Sequence, residues 1–383
     1  MASPCLPERD TKMDESRRGF IGSWLFLGIA GMSPGFFSVL GACNVRKKSP
    51  VASEDSDEVS KEILRTQQSA RIDAGFDPPY LQLHKSGELK KRGEKLWSMM
   101  ESCSLCPREC GVNKLKGEKG FCQADSRLEI SSYHPHFGEE RPLVGKGGSG
   151  AIFLTNCALR CVFCINYRTS HQGWGSEKSI EEMADMMISL QKRGCHNINF
   201  VTPTHYSPHI VRAVDIAAAK GLRVPLVYNT CGWEKLEILK MFDGIVDIYL
   251  PDFKYADGKM AAKYSSDAKT YPEVTQKSLL EMHRQVGVAK PAKDGLMYRG
   301  LMIRHLVMPN NVGGTKEVIK WIADNLSKDT HLNIMSQYRP MFKAFEYPEI
   351  ARRITREEYE EAVDYAKELG MTNLDLQGYS WRR

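Results

Sequence analysis

The sequence predicts an α/β protein, a partial TIM-like barrel of six strand–helix units that follows a small N-terminal cysteine-rich lobe. From residue 151 onward, short apolar stretches alternate with longer stretches of helical periodicity. Two helical stretches open with capping boxes, Ser179 with Glu182 and Thr355 with Glu358. The units number six in about 220 residues and show no repeat of fixed sequence period, which favours one barrel over a solenoid.

Each predicted strand is a short apolar run that ends in polar residues or proline. In chain order the strands are AIFLTN (151–156), HNINFVTP (196–203), PLVYNT (225–230), GIVDIYLPDFK (244–254), LMIRHLVMP (301–309) and HLNIMSQYRP (331–340). The helices between and after them cover 179–193, 209–221, 234–243, 273–287, 315–325 and 355–369. Strands joined in this way run parallel, and the chemistry of such barrels gathers at the carboxyl ends of the strands.

The composition fits a protein with a large core and argues against a nucleic-acid-binding protein and against a disulfide scaffold. Of the 383 residues 42% are hydrophobic, and the net charge of +6 is spread along the chain without a dense basic block. No nucleic-acid partner is therefore expected. The eleven cysteines do not suggest a disulfide scaffold, because those are small and loop-rich. Cys5, Cys195 and Cys231 stand apart and are interpreted as small buried hydrophobic residues.

Residues 1–43 resemble a twin-arginine export signal that ends in a lipoprotein cleavage box. Arg17 and Arg18 precede a long uncharged run, and the closing LGAC makes Cys43 the predicted lipid acceptor. The run is also long enough to remain as a membrane anchor, and a buried structural helix is a third interpretation. The first two place the protein at a membrane without deciding on which side.

The remaining chain divides by composition into three further segments. Residues 44–75 are polar and low in aromatic residues, which is typical of a solvated linker. Residues 76–150 form the predicted cysteine-rich lobe, and residues 151–375 form the predicted barrel.

Three cysteines lie within eight residues, directly after the first predicted strand. They are Cys157, Cys161 and Cys164 in TNCALRCVFCINYRTS (155–170). Three thiolates leave one iron of a [4Fe–4S] cube open to a substrate, because the cube is normally held by four. The same spacing also fits one face of a helix, and three cysteines with a water fit zinc. The position after a strand favours the iron–sulfur interpretation.

A second group of four cysteines lies in the N-terminal lobe, in CSLCPRECGVNKLKGEKGFC (103–122). Its members are Cys103, Cys106, Cys110 and Cys122. Four thiolates suit a structural zinc ion and an auxiliary iron–sulfur cluster equally well, so residue type does not choose between them.

The spacing Cys157-x3-Cys161-x2-Cys164, with Phe163 before the last cysteine, resembles the signature of the radical S-adenosylmethionine (SAM) superfamily. The stretches NINFVTPTHYSPHIVRA, PLVYNTCGWE, GIVDIYLPDFKYAD and RGLMIRHLVMPNN resemble the branch related to the pyruvate formate-lyase activating enzyme, in members with an extra N-terminal cysteine motif. The resemblance covers roughly residues 80–370. It implies a partial barrel of the radical SAM type, a [4Fe–4S] cluster, SAM and a 5′-deoxyadenosyl radical, with the hard chemistry carried by the cofactors.

The resemblance also implies which residues contact SAM. They are Phe163 near the adenine, Thr202, Thr204 and His205 at the end of the second strand, Asn229 at the end of the third, Asp252 and Lys254 at the end of the fourth, and Arg304 on the fifth. The segment from Thr202 to His205 stands where the family has Gly-Gly-Glu, yet it contains neither glycine nor glutamate. Asp252-x-Lys254 matches the Asp-x-Lys of the activating enzymes.

The expected activity is reductive cleavage of SAM followed by abstraction of a hydrogen atom, from a glycine of a partner protein if the activating-enzyme resemblance extends to function. The alternatives are a radical SAM enzyme acting on a small molecule or another protein site, and a membrane-tethered iron–sulfur electron carrier. The resemblance implies a low-potential electron donor of the flavodoxin or ferredoxin class. An export signal would carry the protein away from the cytosol, where SAM and reductant are supplied. The sequence therefore does not decide on which side of the membrane the barrel lies.

Overall fold

The computed structural model describes residues 76–376, and the structural statements below concern that range. The predicted export signal or anchor, the acceptor Cys43 and the linker 44–75 lie outside the described residues. Within the described range, no helix is both long and apolar enough to span a membrane.

The predicted α/β class and partial barrel are confirmed. A nine-stranded sheet runs through the described range, in the order β3-β1-β2-β4-β5-β6-β7-β8-β9. The strands are β1 Leu128–His136, β2 Ser149–Leu154, β3 Ser176–Lys178, β4 Ile198–Val201, β5 Leu226–Thr230, β6 Ile248–Pro251, β7 Gly300–Leu306, β8 His331–Met335 and β9 Leu374–Leu376. The pairs from β2–β4 through to β8–β9 are parallel, whereas β1 is antiparallel to both β2 and β3. The edge strands β3 and β9 are not neighbours in this order, so the barrel stays open on that side.

All six predicted strands and all six predicted helices are present in the described range. The helices are α1 Tyr80–Lys85, α2 Glu88–Ser98, α3 Arg141–Val144, α4 Tyr167–Ser170, α5 Ile180–Lys192, α6 Ser207–Ala219, α7 Leu236–Met241, α8 Gly258–Tyr264, α9 Tyr271–Val286, α10 Thr315–Asn325 and α11 Arg356–Glu368. Short 3-10 turns occur at Lys114–Lys116, Thr204–Tyr206, Pro309–Asn311, Phe342–Glu346 and Pro348–Ile350.

Burial explains why these segments form strands and helices. Every residue of β5, β6 and β8 is buried, as expected for parallel strands covered on both faces. Both predicted capping boxes are formed, at the start of α5 and of α11. Strands β1, β3 and β9 were not predicted, and β1 brings the sheet into the range assigned to the cysteine-rich lobe.

The N-terminal helices pack against α6 on the outside of the barrel. The Arg212 guanidinium lies 4.0 Å from the ring centroid of Trp97, which in turn meets the His209 ring at 5.1 Å. The Tyr80 hydroxyl donates to the carbonyl of Val224 at 3.0 Å. Buried aromatic rings and one cation–π contact therefore fix the lobe to the barrel.

We expect the fold to lose stability in mild acid, in part through His209. Burial lowers the pKa of this imidazole to about 4, and its Nε2 lies 2.8 Å from the carbonyl of Ser126. An unfolded histidine titrates near pH 6.5, so below that pH the unfolded state takes up a proton that the folded state excludes. Stability should therefore fall from about pH 6.5 down to about pH 4.

Thermal denaturation of the wild type and of His209→Gln across this pH window measures the effect. Glutamine keeps a donor for Ser126 but has no charged form, so the variant should show a shallower fall in Tm on acidification. The difference between variants cancels the contributions of other buried histidines. Superimposable pH profiles would rule out this role of His209.

Candidate active site

The three cysteines of the short motif lie on the loop that leaves β2. Residues 157–166 form turns, and the next helix, α4, begins only at Tyr167. Asn156 and Arg160 take positive φ angles of 67° and 51°, which bend the loop back on itself. The interpretation of the cysteines as one face of a helix is therefore wrong. They lie at the carboxyl edge of the barrel.

Each of the three sulfurs has a hydrogen-bonding group close by. The Ser265 hydroxyl donates to Cys161 Sγ at 3.1 Å, the Ser170 hydroxyl lies 3.1 Å from Cys164 Sγ, and the Leu159 amide donates to Cys157 Sγ at 3.4 Å. Hydrogen bonds of this kind stabilise thiolate ligands and tune the reduction potential of a cluster.

Burial raises the pKa of all three thiols, that of Cys161 to about 12. The Lys254 ammonium acts in the opposite direction and favours the thiolate form at each of them. An isolated site would thus keep its thiols protonated, and deprotonation becomes favourable when a metal cation binds.

An ion network joins the carboxyl ends of the neighbouring strands. Asp252 accepts from Lys254 Nζ at 2.6 Å through one oxygen and from Arg304 Nε at 2.9 Å through the other. Arg304 Nη2 also donates to Asn229 Oδ1 at 2.6 Å. Four of the residues that the family resemblance implied as SAM contacts are therefore brought together.

Charge, rather than burial, decides the protonation of this network. Burial favours the neutral acid at Asp252, but the charges of Arg304 and Lys254 outweigh it and lower its pKa. Burial likewise opposes the charge on Lys254, and Asp252 more than compensates, so the pKa of the lysine rises. The network is ionised at neutral pH.

Glu139 completes the network and was missed in the sequence. It lies on the loop after β1, and its carboxylate accepts from Arg304 at 3.4 Å, from Asn229 Nδ2 at 3.3 Å and from Asn199 Nδ2 at 3.2 Å. Burial raises the pKa of Glu139. The only sequence signal was the acidic pair in FGEERP, with no strand end to point to it.

Thr204 contacts a second buried carboxylate that the sequence analysis also missed. Its hydroxyl donates to Glu234 at 2.6 Å, and the same carboxylate accepts from Thr230 and from Tyr228, the latter at 3.4 Å. Burial raises the pKa of Glu234 to about 7. The segment from Thr202 to His205 contains no glutamate. Its Thr204 instead donates to Glu234 from the loop after β5.

The other three implied SAM contacts are held by contacts of their own. Thr202 has a positive φ of 64° and donates its amide to the carbonyl of Asn229 at 3.0 Å. His205 Nε2 lies 2.8 Å from the carbonyl of Thr155, and burial together with Lys114 lowers its pKa to about 3. Phe163 is buried, with its ring 5.9 Å from that of Tyr338 and 6.4 Å from that of Tyr255. Their roles toward SAM stay predictions.

Cys231 lies at the site, contrary to its interpretation as an isolated core residue. It follows β5 directly and is only partly buried, and its carbonyl accepts from the Tyr271 hydroxyl at 2.8 Å. Burial raises the pKa of its thiol, and the charge of nearby Cys157 raises it further. Cys195, by contrast, is fully buried as expected.

The four-cysteine group forms a tight loop beside the barrel. Cys103, Cys106 and Cys122 are at most 6% exposed, and Lys114, which is 1% exposed, donates to Cys122 Sγ at 3.3 Å. A side chain on Gly120 would approach Cys110 Sγ to 2.9 Å, so the cysteine side chain would have to move to admit one. The group therefore brings several thiols and one buried cation together.

Arg108 links the two cysteine groups. It lies two residues after Cys106, and its guanidinium donates to the carbonyl of Ala158 at 3.0 Å, next to Cys157. The same guanidinium lies 4.0 Å from the ring of Phe121 and 4.8 Å from that of Trp233. The lobe and the barrel loop are therefore held together at the point where both carry thiols.

In the described part of the chain, no three His, Cys, Asp or Glu side chains converge as closely as the ligands of a single metal ion do. A single zinc ion draws its thiolates to about 2.3 Å from one centre. A [4Fe–4S] cube spreads its thiolates over different irons, so its ligands stay further apart.

A cavity of about 430 Å³ lies beside Arg304, on the side of β8 and β9. We call it the polar chamber. Its charged and amide lining includes Glu139, Glu140, Arg141, Arg304, Asn333 and Asp375. Arg304 and Glu139 of the ion network are among its lining residues, whereas the three cysteines and Lys254 are not.

A parallel partial barrel with three loop thiols and an ion network at its carboxyl edge defines a class of cofactor-dependent enzymes. The sequence profile of the Radical SAM superfamily matches residues 151–290, which include the cysteine loop and β2 to β6. Uncharacterized protein MJ0674 of Methanocaldococcus jannaschii is 32% identical over 316 residues, which cover 79% of this chain and 84% of that protein.

The chain therefore belongs to the Radical SAM superfamily. Family membership implies an enzyme that uses a [4Fe–4S] cluster and SAM. The residues fit these groups. The three buried thiols have hydrogen-bond donors beside them, and Lys254, Asp252 and Arg304 offer both signs of charge to a zwitterionic amino acid.

We expect Asp252→Asn to destabilise the protein by about 3–5 kcal/mol, because it leaves the Lys254 and Arg304 charges without their shared carboxylate. Chemical denaturation measures the change. Asp324→Asn is the matched control, since its exposed pair with Lys320 should contribute less than about 1 kcal/mol. An equal effect of both substitutions would contradict the structural role of the network.

Proposed function

We propose that this enzyme cleaves SAM reductively at the cysteine loop and uses the resulting radical to abstract a hydrogen atom from a substrate bound in direct contact with it. The observation that carries the proposal is the placement of three thiols and Lys254 at one edge of the barrel. When bound, the cluster supplies the electron that breaks the sulfonium–carbon bond of SAM.

The chain's own residues bind and orient. Cys157, Cys161 and Cys164 would hold the cluster, and their loop is fixed by the hydroxyls of Ser265 and Ser170. Asp252 and Lys254 would hold the ammonium and carboxylate of SAM, which suits a paired anion and cation at one strand end. Burial of these groups keeps water from the radical.

Production of 5′-deoxyadenosine tests this proposal. Anaerobically reconstituted enzyme with SAM and a strong reductant should release 5′-deoxyadenosine and methionine. Replacing any of Cys157, Cys161 and Cys164 with alanine should reduce the rate by at least about a hundredfold, since each supplies one of the three ligands.

Cys195→Ala is the matched control, because this cysteine is buried near the start of β4, at the opposite end of the barrel. It should retain the wild-type rate. No 5′-deoxyadenosine from the wild type, or equal rates in the Cys157→Ala and Cys195→Ala variants, would contradict the proposal.

A glycine of a partner protein is one candidate substrate. The match of Asp252-x-Lys254 to the activating enzymes supports it. The radical would take hydrogen from the glycine Cα, forming 5′-deoxyadenosine and leaving a glycyl radical. Electron paramagnetic resonance of the enzyme incubated with a candidate glycyl-radical protein should then show the radical on the partner. A partner signal that is absent while 5′-deoxyadenosine still forms would exclude this substrate.

A small molecule is the second candidate, and the polar chamber beside Arg304 supports it. Its volume of about 430 Å³ lies within the range of small-molecule sites.

We also propose a second metal site at Cys103, Cys106, Cys110 and Cys122. The low exposure of three of these thiols and the buried charge of Lys114 support it. Metal analysis and absorption spectra of the Cys157→Ala enzyme, which lacks one ligand of the first site, distinguish zinc from iron. Loss of that metal in Cys106→Ala is expected.

Electron supply and location complete the proposal. Cleavage of SAM consumes one electron, so we propose a low-potential flavodoxin or ferredoxin as donor.

The sequence of residues 1–43 supports attachment to a membrane, either by lipid on Cys43 or by an uncleaved anchor. Cell fractionation with protease protection establishes the side on which the barrel lies.

A further inference from the structure

The polar chamber contains acceptors that the protein does not satisfy. Glu140 and Asn333 are 5% and 3% exposed. Within residues 76–376, neither Glu140 Oε2 nor Asn333 Oδ1 has a hydrogen-bond partner. Buried acceptors are nearly always paired, so two unpaired ones in the wall of one cavity call for donors from a ligand.

The orientation of both groups is fixed by their mutual contact. Asn333 Nδ2 donates to Glu140 Oε1 at 2.8 Å, which leaves the amide oxygen as the free end of Asn333. Glu140 is the N-cap residue of α3, yet its carboxylate does not cap that helix. It reaches instead to β8, and its second oxygen is free to accept from a ligand.

The charges around the chamber favour a cation. Glu139, Glu140 and Asp375 line it, and Arg304 is already paired with Asp252 and Glu139. Burial and the charge of Glu140 raise the pKa of Asp375, and a cation bound between the two carboxylates would relieve that repulsion. Among the described lining residues Arg141, at the exposed rim, adds a further positive charge, and the His331 imidazole lies 4.0 Å from Asp375.

The acceptors suit an ammonium group better than a metal ion. A guanidinium lies on the chamber wall, and no three carboxylate, cysteine or histidine side chains of the described chain converge on one point. An alkylammonium has three N–H donors that reach separate acceptors, and its carbon chain fills a cavity of this size.

We propose that the polar chamber binds the primary ammonium group of a small organic substrate, with Glu140 Oε2 and Asn333 Oδ1 as its acceptors. The term substrate rests on the proposed function, whereas the binding itself does not. Arg141 at the rim would donate to an anionic group at the other end of the molecule, which favours amino acids and their derivatives.

Binding of pentylamine to the reconstituted enzyme without reductant tests the proposal, with pentanol and pentanoate as matched probes of the same chain length. Pentylamine should bind and the other two should bind at least about tenfold more weakly, because they lack the charged donor. N-Acetylglycinamide tests whether peptide N–H groups are recognised instead. Equal binding of pentanol or N-acetylglycinamide would overturn the proposal, as would displacement of pentylamine by SAM.

Glu140→Gln should weaken pentylamine binding by about tenfold to a hundredfold, since it keeps the contact with Asn333 but removes the charge. Asp375→Asn, closer to the rim, is a second variant that should weaken it by a few fold. Glu237→Gln, on the exposed side of α7, is the control and should bind as the wild type does. Unchanged affinity in both chamber variants would overturn the proposal.

The two proposals fail in different ways. If 5′-deoxyadenosine forms but pentylamine does not bind, the ammonium site is wrong and the proposed reaction stands. If pentylamine binds with the expected dependence on Glu140 but SAM is not cleaved, the site stands and the proposed reaction is wrong.

Discussion

The guanidinium of Arg304 is the contact on which the rest of the site depends. Its three nitrogens donate to Asp252 after β6, to Asn229 on β5 and to Glu139 on the loop after β1. A planar, permanently charged donor can hold three acceptors at fixed angles, which an ammonium cannot do. Arg304 therefore holds the carboxyl ends of β5 and β6 at a fixed spacing. It also fixes the loop after β1 to these strand ends.

Two features of the carboxyl edge are joined to this network. Lys254 connects it with the three thiols, where the chemistry of the superfamily is expected. Arg304 and Glu139 connect it with the polar chamber, where two acceptors, Glu140 Oε2 and Asn333 Oδ1, have no hydrogen-bond partner among the described residues. The network is charged but internally paired, so it can stay ordered when a ligand binds beside it.

The four-cysteine lobe is joined to this edge rather than tethered at a distance. Arg108 binds the carbonyl of Ala158 in the cysteine loop, and Lys114 lies buried between Cys122 and the His205 region. The charge of a metal bound in the lobe would therefore change the electrostatic potential at the barrel. Such coupling would give the buried Lys114 ammonium a role at the barrel as well as in the lobe.

The sequence by itself determined the six strand–helix units and the position of Cys157, Cys161 and Cys164 after the first of them, because periodicity, capping boxes and short-range spacing are local properties. The resemblance to the radical SAM superfamily also grouped Asn229, Asp252 and Lys254 as expected SAM contacts. Only the tertiary structure brought in Glu139, Glu140 and Cys231. Those contacts join residues far apart in the chain, such as Glu140 and Asn333, and no local pattern encodes which distant side chain a buried carboxylate will meet.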